Sequence, residues 1–275
     1  MSGRFDYVRT LLRTDAGIVL DEGKDYLIES RLGPVAKAAG CASIEDLEAK
    51  LRTTRGTDLH RRVIEALTTN ETSFFRDHDP FEVLRKDTVP ALIEARRPSK
   101  ELRIWYAASS TGQEPYSMSI LLREHFPELA TWKITQLATD INLQVLDRAR
   151  KGVFTQLEVN RGMPVQLLLK YFTKHGLEWQ LNPDICSMVQ FEPLNLNGIW
   201  PIGMGPFDIV FIRNVMIYFD VKAKQQILGR IHKVLRPDGY LMLGAVETTI
   251  NLDERFVRAP YEKSGCYRPA VAKAA

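Results

Sequence analysis

Residues 207–220 read FDIVFIRNVMIYFD. Ile209 to Ile212 form an unbroken apolar run, the pattern of a strand covered on both faces. The run then meets Arg213 and Asn214, and apolar residues resume at once before Tyr218. Charged and amide groups between two apolar runs are costly to bury unless they find partners. The stretch therefore sets two questions: which sheet holds this strand, and what its polar end binds.

Working outward, strands alternate with helical segments from about residue 100. LRIWYAA (102–108) reads as a buried strand and is followed by a small-residue turn and the helix EPYSMSILLREHF. KITQLATD (133–140) is a second strand, with NLQVLDRARKG as its helix; MVQFEPLNL (188–196) is a third and FDIVFI the fourth. The helix KAKQQILGRIHKVL then leads through a turn, Arg236-Pro237-Asp238-Gly239, into a fifth strand, YLMLGAV. This alternation predicts a doubly wound parallel α/β sheet with right-handed connections and a ligand crevice at the carboxyl ends of its strands. Residues 164–190 break the rhythm with one helix and a segment that suits a small hairpin, with turns near Gly176 and Asn182-Pro183.

Residues 1–70 have helical spacing instead. Phe5, Val8, Leu11 and Leu12 share one face, Leu47 and Leu51 another, and Leu59, Val63, Ile64 and Leu67 a third. Ser43, with Asp46 three residues on, reads as an N-cap. His60, Arg61 and Arg62 beside the last stripe read as a solvated basic face, or more sharply as a docking surface for an acidic partner.

Composition narrows the classes. Lys plus Arg number 37 against 34 Asp plus Glu, a net charge of +3, too balanced to argue for nucleic acid. No run approaches membrane-spanning length, and MSGRFDYVRT lacks the apolar core of a signal peptide. Cys41, Cys186 and Cys266 have no metal spacing and read as reduced thiols, hence a cytoplasmic setting. There is no HExxH, CxxC or GxSxG, so neither a zinc site nor an acyl-enzyme elbow is expected. Gly203-Met204-Gly205 precedes a strand and reads as a turn.

The strand ends carry the chemistry. The first runs into Ala107-Ala108-Ser109-Ser110-Thr111-Gly112-Gln113-Glu114, whose small residues let a ligand approach backbone amides. Its single glycine suits a cofactor without phosphate better than GxGxxG would. Asp140 closes the second strand, where a carboxylate can accept both ribose hydroxyls of an adenosine, or alternatively cap the next helix. Asn195 ends the third strand, and Arg213-Asn214 the fourth.

TNETSFFRD (69–77), AASSTGQEPYS (107–117) and FDIVFIRNVMIYFD (207–220) together resemble the chemotaxis receptor methyltransferases, the CheR family; RPDGYLMLGAVE (236–247) fits that fold's closing strand. The resemblance spans nearly the whole chain. It implies a helical domain (1–70), a linker (71–90) and a Rossmann-like class I methyltransferase domain (91–275) with an inserted antiparallel β-subdomain (164–190). The implied reaction is methyl transfer from S-adenosylmethionine to glutamate side chains on cytoplasmic chemoreceptor helices, leaving S-adenosylhomocysteine, with no metal, no nucleic acid, no membrane insertion and a monomeric enzyme. Carried onto this sequence, the resemblance implies cofactor contacts from Asn70, Thr72, Arg76, Glu114, Asp140, Asn195, Leu196, Arg213 and Asn214. Arg76 and Tyr218 become the pair nearest the transferred methyl.

Three departures from that pattern stand out. Tyr106 occupies a place where the family usually has a small residue, and Gln113 replaces a glutamate beside the retained Glu114. TKHGLEWQLNPDI lacks the Gly-rich hairpin extension of members that tether to a receptor's C-terminal pentapeptide, which points to direct docking on receptor helices. A DNA amino-methyltransferase is disfavoured because Asn214-Val215-Met216 lacks the two prolines of its usual motif.

Overall fold

In a computed structural model of the chain, residues 4–54, 56–261 and 264–270 are described. The outermost residues of the expected units, 1–3 and 271–275, lie outside them. Helices α1 (Asp6–Leu11), α2 (Asp25–Ala38), α3 (Ile44–Thr53) and α4 (Asp58–Leu67) build the N-terminal unit. Their apolar stripes meet in a separate core that buries Val8, Leu12, Ile28, Leu32, Leu47, Leu51 and Val63. The Ser43 hydroxyl caps α3, accepting the Asp46 amide at 3.0 Å, as its spacing predicted. The basic face departs from expectation. His60 is buried with Nδ1 3.1 Å from the Thr57 hydroxyl, and Arg61 is held by Asp58 and Glu65 on its own helix.

The linker leads into one helical run, α5 (Asp79–Val83), a π-turn at Leu84–Thr88 and α6 (Val89–Arg96), which passes unbroken through residue 90. Neither Thr72 nor Ser73 caps it; His78 is the flanking residue and makes no side-chain cap. Strand β1 (Glu101–Tyr106), α7 (Gln113–His125), β2 (Lys133–Asp140) and α8 (Leu143–Lys151) follow.

The inserted unit begins earlier than residue 164. Strand β3 (Val153–Thr155), α9 (Gln156–Asn160), α10 (Val165–Tyr171), β4 (Phe172–His175), β5 (Glu178–Leu181) and α11 (Pro183–Cys186) form it. Its antiparallel sheet has the order β3-β5-β4. The hairpin turn at Gly176 lies where expected, whereas Asn182-Pro183 opens α11, proline at the first helical position being no obstacle there. A three-residue strand such as β3 carries too little alternation to be read from sequence.

The chain then completes the main sheet with β6 (Val189–Pro193), β7 (Phe207–Ile212), α12 (Val221–Val234), β8 (Leu235–Leu243), β9 (Phe256–Arg258) and β10 (Cys266–Pro269). Seven strands lie in the order β6-β2-β1-β7-β8-β10-β9; β6 to β8 are parallel and β10 runs antiparallel to both neighbours. All six residues of β7 are buried. The pleat sends Ile209 and Phe211 to one layer, with Ile104 and Tyr106, and Val210 and Ile212 to the other, against Ile227, Leu228 and Ile231 of α12. A strand covered on both faces has no polar side to alternate with, hence the continuous apolar run. Arg236-Pro237-Asp238-Gly239 is not a free turn: it bulges within β8, whose pairing jumps from Phe207↔Leu235 to Ile209↔Tyr240.

Strand order reverses between β1 and β7, the chain proceeding to β2 and β6 on one side and to β8 on the other. In open parallel sheets, that reversal opens a crevice at the carboxyl edge.

Candidate active site

The crevice is real and deep. Ala107, Ser109, Glu114, Asp140, Leu196, Arg213 and Asn214 line it from the sheet; Asn70, Thr72 and Arg76 from the linker; Tyr218 from the turn after β7. Every residue named for the site in the sequence thus reaches one cleft, Asn195 included. Ala16, Ile18, Val19 and Arg31 of the helical unit close the remaining side.

Local chemistry explains each placement. Gly112 turns the chain into α7 at φ 91°, and a Cβ there would crowd Tyr116, Ala149 and Phe191 at 3.0–3.2 Å. The Asp140 carboxylate accepts the backbone amides of Ser110 at 2.9 Å and Asn142 at 3.0 Å. It is not the cap of α8; Asn142 is, accepting the amides of Gln144 and Val145. Each Asp140 oxygen accepts one amide and keeps acceptor capacity toward the cleft. Burial pushes its pKa above the ordinary value, with the backbone amides opposing the shift.

Arg213 is more of a structural clamp than a free cofactor ligand. Its guanidinium donates to Glu114 Oε1 at 2.6 Å, Asp77 Oδ2 at 2.8 Å and the Arg76 carbonyl at 3.0 Å, with the side chain 1% exposed. It therefore ties β7, α7 and the linker together. Removing one partner of such a buried pair costs about 3–5 kcal/mol, since a charge stays behind. Burial raises the pKa of Glu114, opposed by the charges of Arg213 and Arg76. Arg76 itself donates to the Glu71 carbonyl at 3.1 Å.

Asn195 is also spoken for: its amide donates to the Asp15 carbonyl at 2.5 Å and accepts from the Asn197 backbone. Asn197 in turn donates to the Thr14 carbonyl at 2.9 Å, and the Val19 amide to the Tyr218 carbonyl at 2.8 Å. The helical unit is thus sewn to two of the strand ends that form the site. The departures find their places too. The Tyr106 hydroxyl donates to Gln136 at 2.7 Å within the core, and Gln113 is buried, accepting the Thr111 hydroxyl at 2.8 Å.

Two residues that support the site from behind its lining escaped the sequence reading. Glu247, after β8, is buried and accepts four backbone amides from the turns after β7 and β8. Its signal was present in RPDGYLMLGAVE: a carboxylate just past a strand end, the same sign that exposed Asp140. Asp77 closes the Arg213 clamp from a linker position that looks like an ordinary loop acid.

Polar atoms without partners test the fit to a cofactor. Ser109 Oγ and Asn214 Oδ1 are both buried without a hydrogen bond, and both residues line the cleft. Native structures leave few such atoms unless a ligand or water completes them. With the free acceptor capacity of Asp140, they suit the hydroxyl and amino donors of an adenosyl amino acid, while Leu196 and Ile141 offer apolar contact.

Comparisons with known proteins agree. The family model described as "CheR methyltransferase, SAM binding domain" matches residues 70–264, and "CheR methyltransferase, all-alpha domain" matches 4–68. The chain belongs to the CheR methyltransferase family. It is 41% identical over 256 residues to chemotaxis protein methyltransferase 1 of Pseudomonas aeruginosa, covering 92% of each chain. It is 37% identical to chemotaxis protein methyltransferase 1 of Vibrio cholerae, covering 91% of this chain and 90% of that one. With the Escherichia coli chemotaxis protein methyltransferase the identity is 35%, over 92% of this chain and 86% of the other. Among solved structures, a TehB-like SAM-dependent methyltransferase from Corynebacterium glutamicum covers 56% of this chain and 59% of its own, at 17% identity and a TM-score of 0.32, too distant to add to the argument. This CheR protein is a methyltransferase of chemotaxis whose methyl donor is S-adenosylmethionine. Among the described residues, no cluster is suited to a metal ion and no helix is long and apolar enough to cross a membrane.

Proposed function

We propose that this CheR protein transfers the methyl group to glutamate side chains on chemoreceptor helices, forming methyl esters. The observation that carries this reading is the pair at the cleft wall, the Tyr218 phenol and the Arg76 guanidinium. A hydrogen-bond donor and a cation orient an anionic acceptor; neither removes a proton from a neutral one. A glutamate, with a reference pKa of about 4.3, is already ionised at neutral pH and needs no general base.

The cofactor supplies an activated methyl on a sulfonium. The protein's work is then to align the carboxylate oxygen and keep water out. Tyr218 donates a hydrogen bond to the acceptor carboxylate, and Arg76 places positive charge beside it. Asp140 takes the ribose hydroxyls, and Asn214 and Ser109 present acceptors to donor groups of the cofactor. Asn70 and Thr72 complete the wall from the linker, with Glu114 behind them held by Arg213. Asn195 and Leu196 shape the opposite wall. Buried Met216 and Phe219, with Val215 half-buried beside them, anchor the turn that bears Tyr218, Met216 at 2% exposure.

The reading includes docking without a pentapeptide tether. Strands β4 and β5 join through the two residues Gly176 and Leu177, with His175 paired to Glu178, so the hairpin carries no extension for a tail to lie along. The test is labelled methyl transfer from S-adenosylmethionine to receptor-containing membranes. Label should appear on receptors and be released by alkali as methanol, and receptors cut short at the C-terminus should be methylated equally well. Alkali-stable label, or none on receptors, defeats the ester reading; loss of methylation on truncated receptors defeats only the untethered docking.

A further inference from the structure

Glu247 sits where the turns after the two central strands meet. Its Oε2 accepts the amides of Asn214 and Gly244, both at 2.7 Å, and its Oε1 those of Val215 at 3.0 Å and Met216 at 2.7 Å. A carboxylate offers about four acceptor sites, and backbone donors fill all of them. The approach is so close that a Cβ on Gly244 would stand 2.7 Å from Oε2 and 2.9 Å from the Asn214 amide, so glycine is required there for space.

The grip reaches both halves of the reaction. Asn214 is held at φ 60°, a conformation asparagine tolerates better than most residues, and its unpartnered Oδ1 is left buried in the cleft wall. Val215, gripped by its amide, accepts the Tyr218 amide on its carbonyl at 3.1 Å, and the 3₁₀ turn Met216–Tyr218 carries the phenol. One side chain thus sets the cofactor-facing amide and the acceptor-facing hydroxyl together.

We propose that Glu247 is the positioning residue of this site, fixing Asn214 and Tyr218 in register so that cofactor and acceptor carboxylate meet in line. The Tyr218 half of this inference rests on the ester-forming reading above; the Asn214 half does not. Glu247→Gln keeps the size but turns one oxygen into an NH₂ that faces two backbone N–H groups, whichever way the amide flips. Glu247→Asp keeps the charge but, one methylene shorter, reaches one pair of amides only.

Calorimetry with S-adenosylhomocysteine, receptor-methylation kinetics and thermal unfolding test the inference. Glu247→Gln should bind S-adenosylhomocysteine roughly tenfold more weakly and lose kcat more than it raises the receptor KM, with Glu247→Asp intermediate. Combined with Tyr218→Phe, the turnover loss should fall well short of the product of the single losses, because the tyrosine is the group being positioned. If Glu247→Gln does not fold, Glu247→Asp alone decides the matter by its affinity. Wild-type affinity and turnover in the folded variant, or losses that multiply with Tyr218→Phe, overturn the proposal. If the wild-type protein binds S-adenosylhomocysteine yet forms no receptor ester, the ester reading falls, and the affinity comparison still judges the grip on Asn214.

Discussion

At the amino end of β7, Asp208 is fully buried, taking Arg96 Nε at 2.6 Å and the Arg103 amide at 2.7 Å. Arg96 then forks onto Asp238 with bonds of 2.7 and 2.5 Å, while Arg236 Nε lies 3.2 Å from Asp208 as an ion pair without hydrogen-bond alignment. At the carboxyl end of the same strand, Arg213 is equally buried and holds two carboxylates, but its own Nε, Asn214 Oδ1 and Ser109 Oγ have no partner. Both ends bury charge, and both leave an arginine Nε without a hydrogen bond. Arg236 Nε still has the Asp208 carboxylate 3.2 Å away, whereas the acceptors Ser109 Oγ and Asn214 Oδ1 at the other end have no partner and belong to cleft-lining residues. The first closes the bottom of the sheet, where bulged β8 returns over the strand. The second is held open by its clamps, with unmatched atoms turned toward a cleft. Buried charge alone does not mark a site; buried charge beside incomplete hydrogen bonding does.

The sharpest way to break that contrast is at the closed end. Asp208→Asn leaves Arg96 to Asp238 alone and removes the buried carboxylate beside Arg236. It should lower the unfolding free energy by about 3 kcal/mol in denaturant titration, while the folded protein keeps its affinity for S-adenosylhomocysteine. An equal loss of affinity would mean that the two ends are coupled. At the open end the signs reverse: Asp140→Ala should weaken cofactor binding by roughly 1.5–3 kcal/mol in calorimetry, through lost charge-assisted bonds, with a smaller effect on unfolding. Tyr218→Phe should leave that affinity within a few-fold while turnover falls by about tenfold, near 1.4 kcal/mol of barrier. Turnover near the wild-type value would remove Tyr218 from its role.

Acid sharpens the comparison most gently. Hydrogen bonds from Arg96 hold the Asp238 carboxyl below its usual value, so its stabilisation is present above the unfolded pKa and lost only as pH falls through the lowered folded one. Asp140 and Glu114 are shifted upward by burial, so ionisation opposes folding at neutral pH and protonation relieves it. As pH falls toward the ordinary carboxylate range, about 4, Asp140 takes up its proton before Asp238 does and ceases to be a full acceptor for ribose hydroxyls. Affinity for S-adenosylhomocysteine should therefore begin to drop before the fold is lost, measured by calorimetry alongside circular dichroism.

These contrasts also mark how far the sequence could be read. Asp140, Asn195 and Arg213-Asn214 were legible because parallel strands end at one edge, so a polar residue after each apolar run is placed by topology alone. What those side chains hold was not legible. Arg213 spends its guanidinium on Glu114 and Asp77, partners 99 and 136 residues away, and no local pattern announces such pairs. Glu247 went unread because a lone acid after a strand looks like surface until four amides are seen converging on it. His60 was misread as solvated because its neighbours Arg61 and Arg62 are polar, whereas its ring turns inward to Thr57. The insert's first strand is three residues long, below the length at which alternation carries information.

The stitches between Thr14, Asp15 and Val19 and the strand ends bear on how such chains can be recombined. The carbonyl of Tyr218 and the amides of Asn195 and Asn197 complete their bonding on backbone of the helical unit. A graft that exchanged that unit for a relative's would have to reproduce the 14–19 backbone path, though not its side chains, to keep those atoms matched. Swaps with the junction after residue 70 exchange the helical unit and its share of the cleft wall as one parcel. A junction placed before residue 14 would instead exchange little more than α1 and leave every cleft-lining position in place.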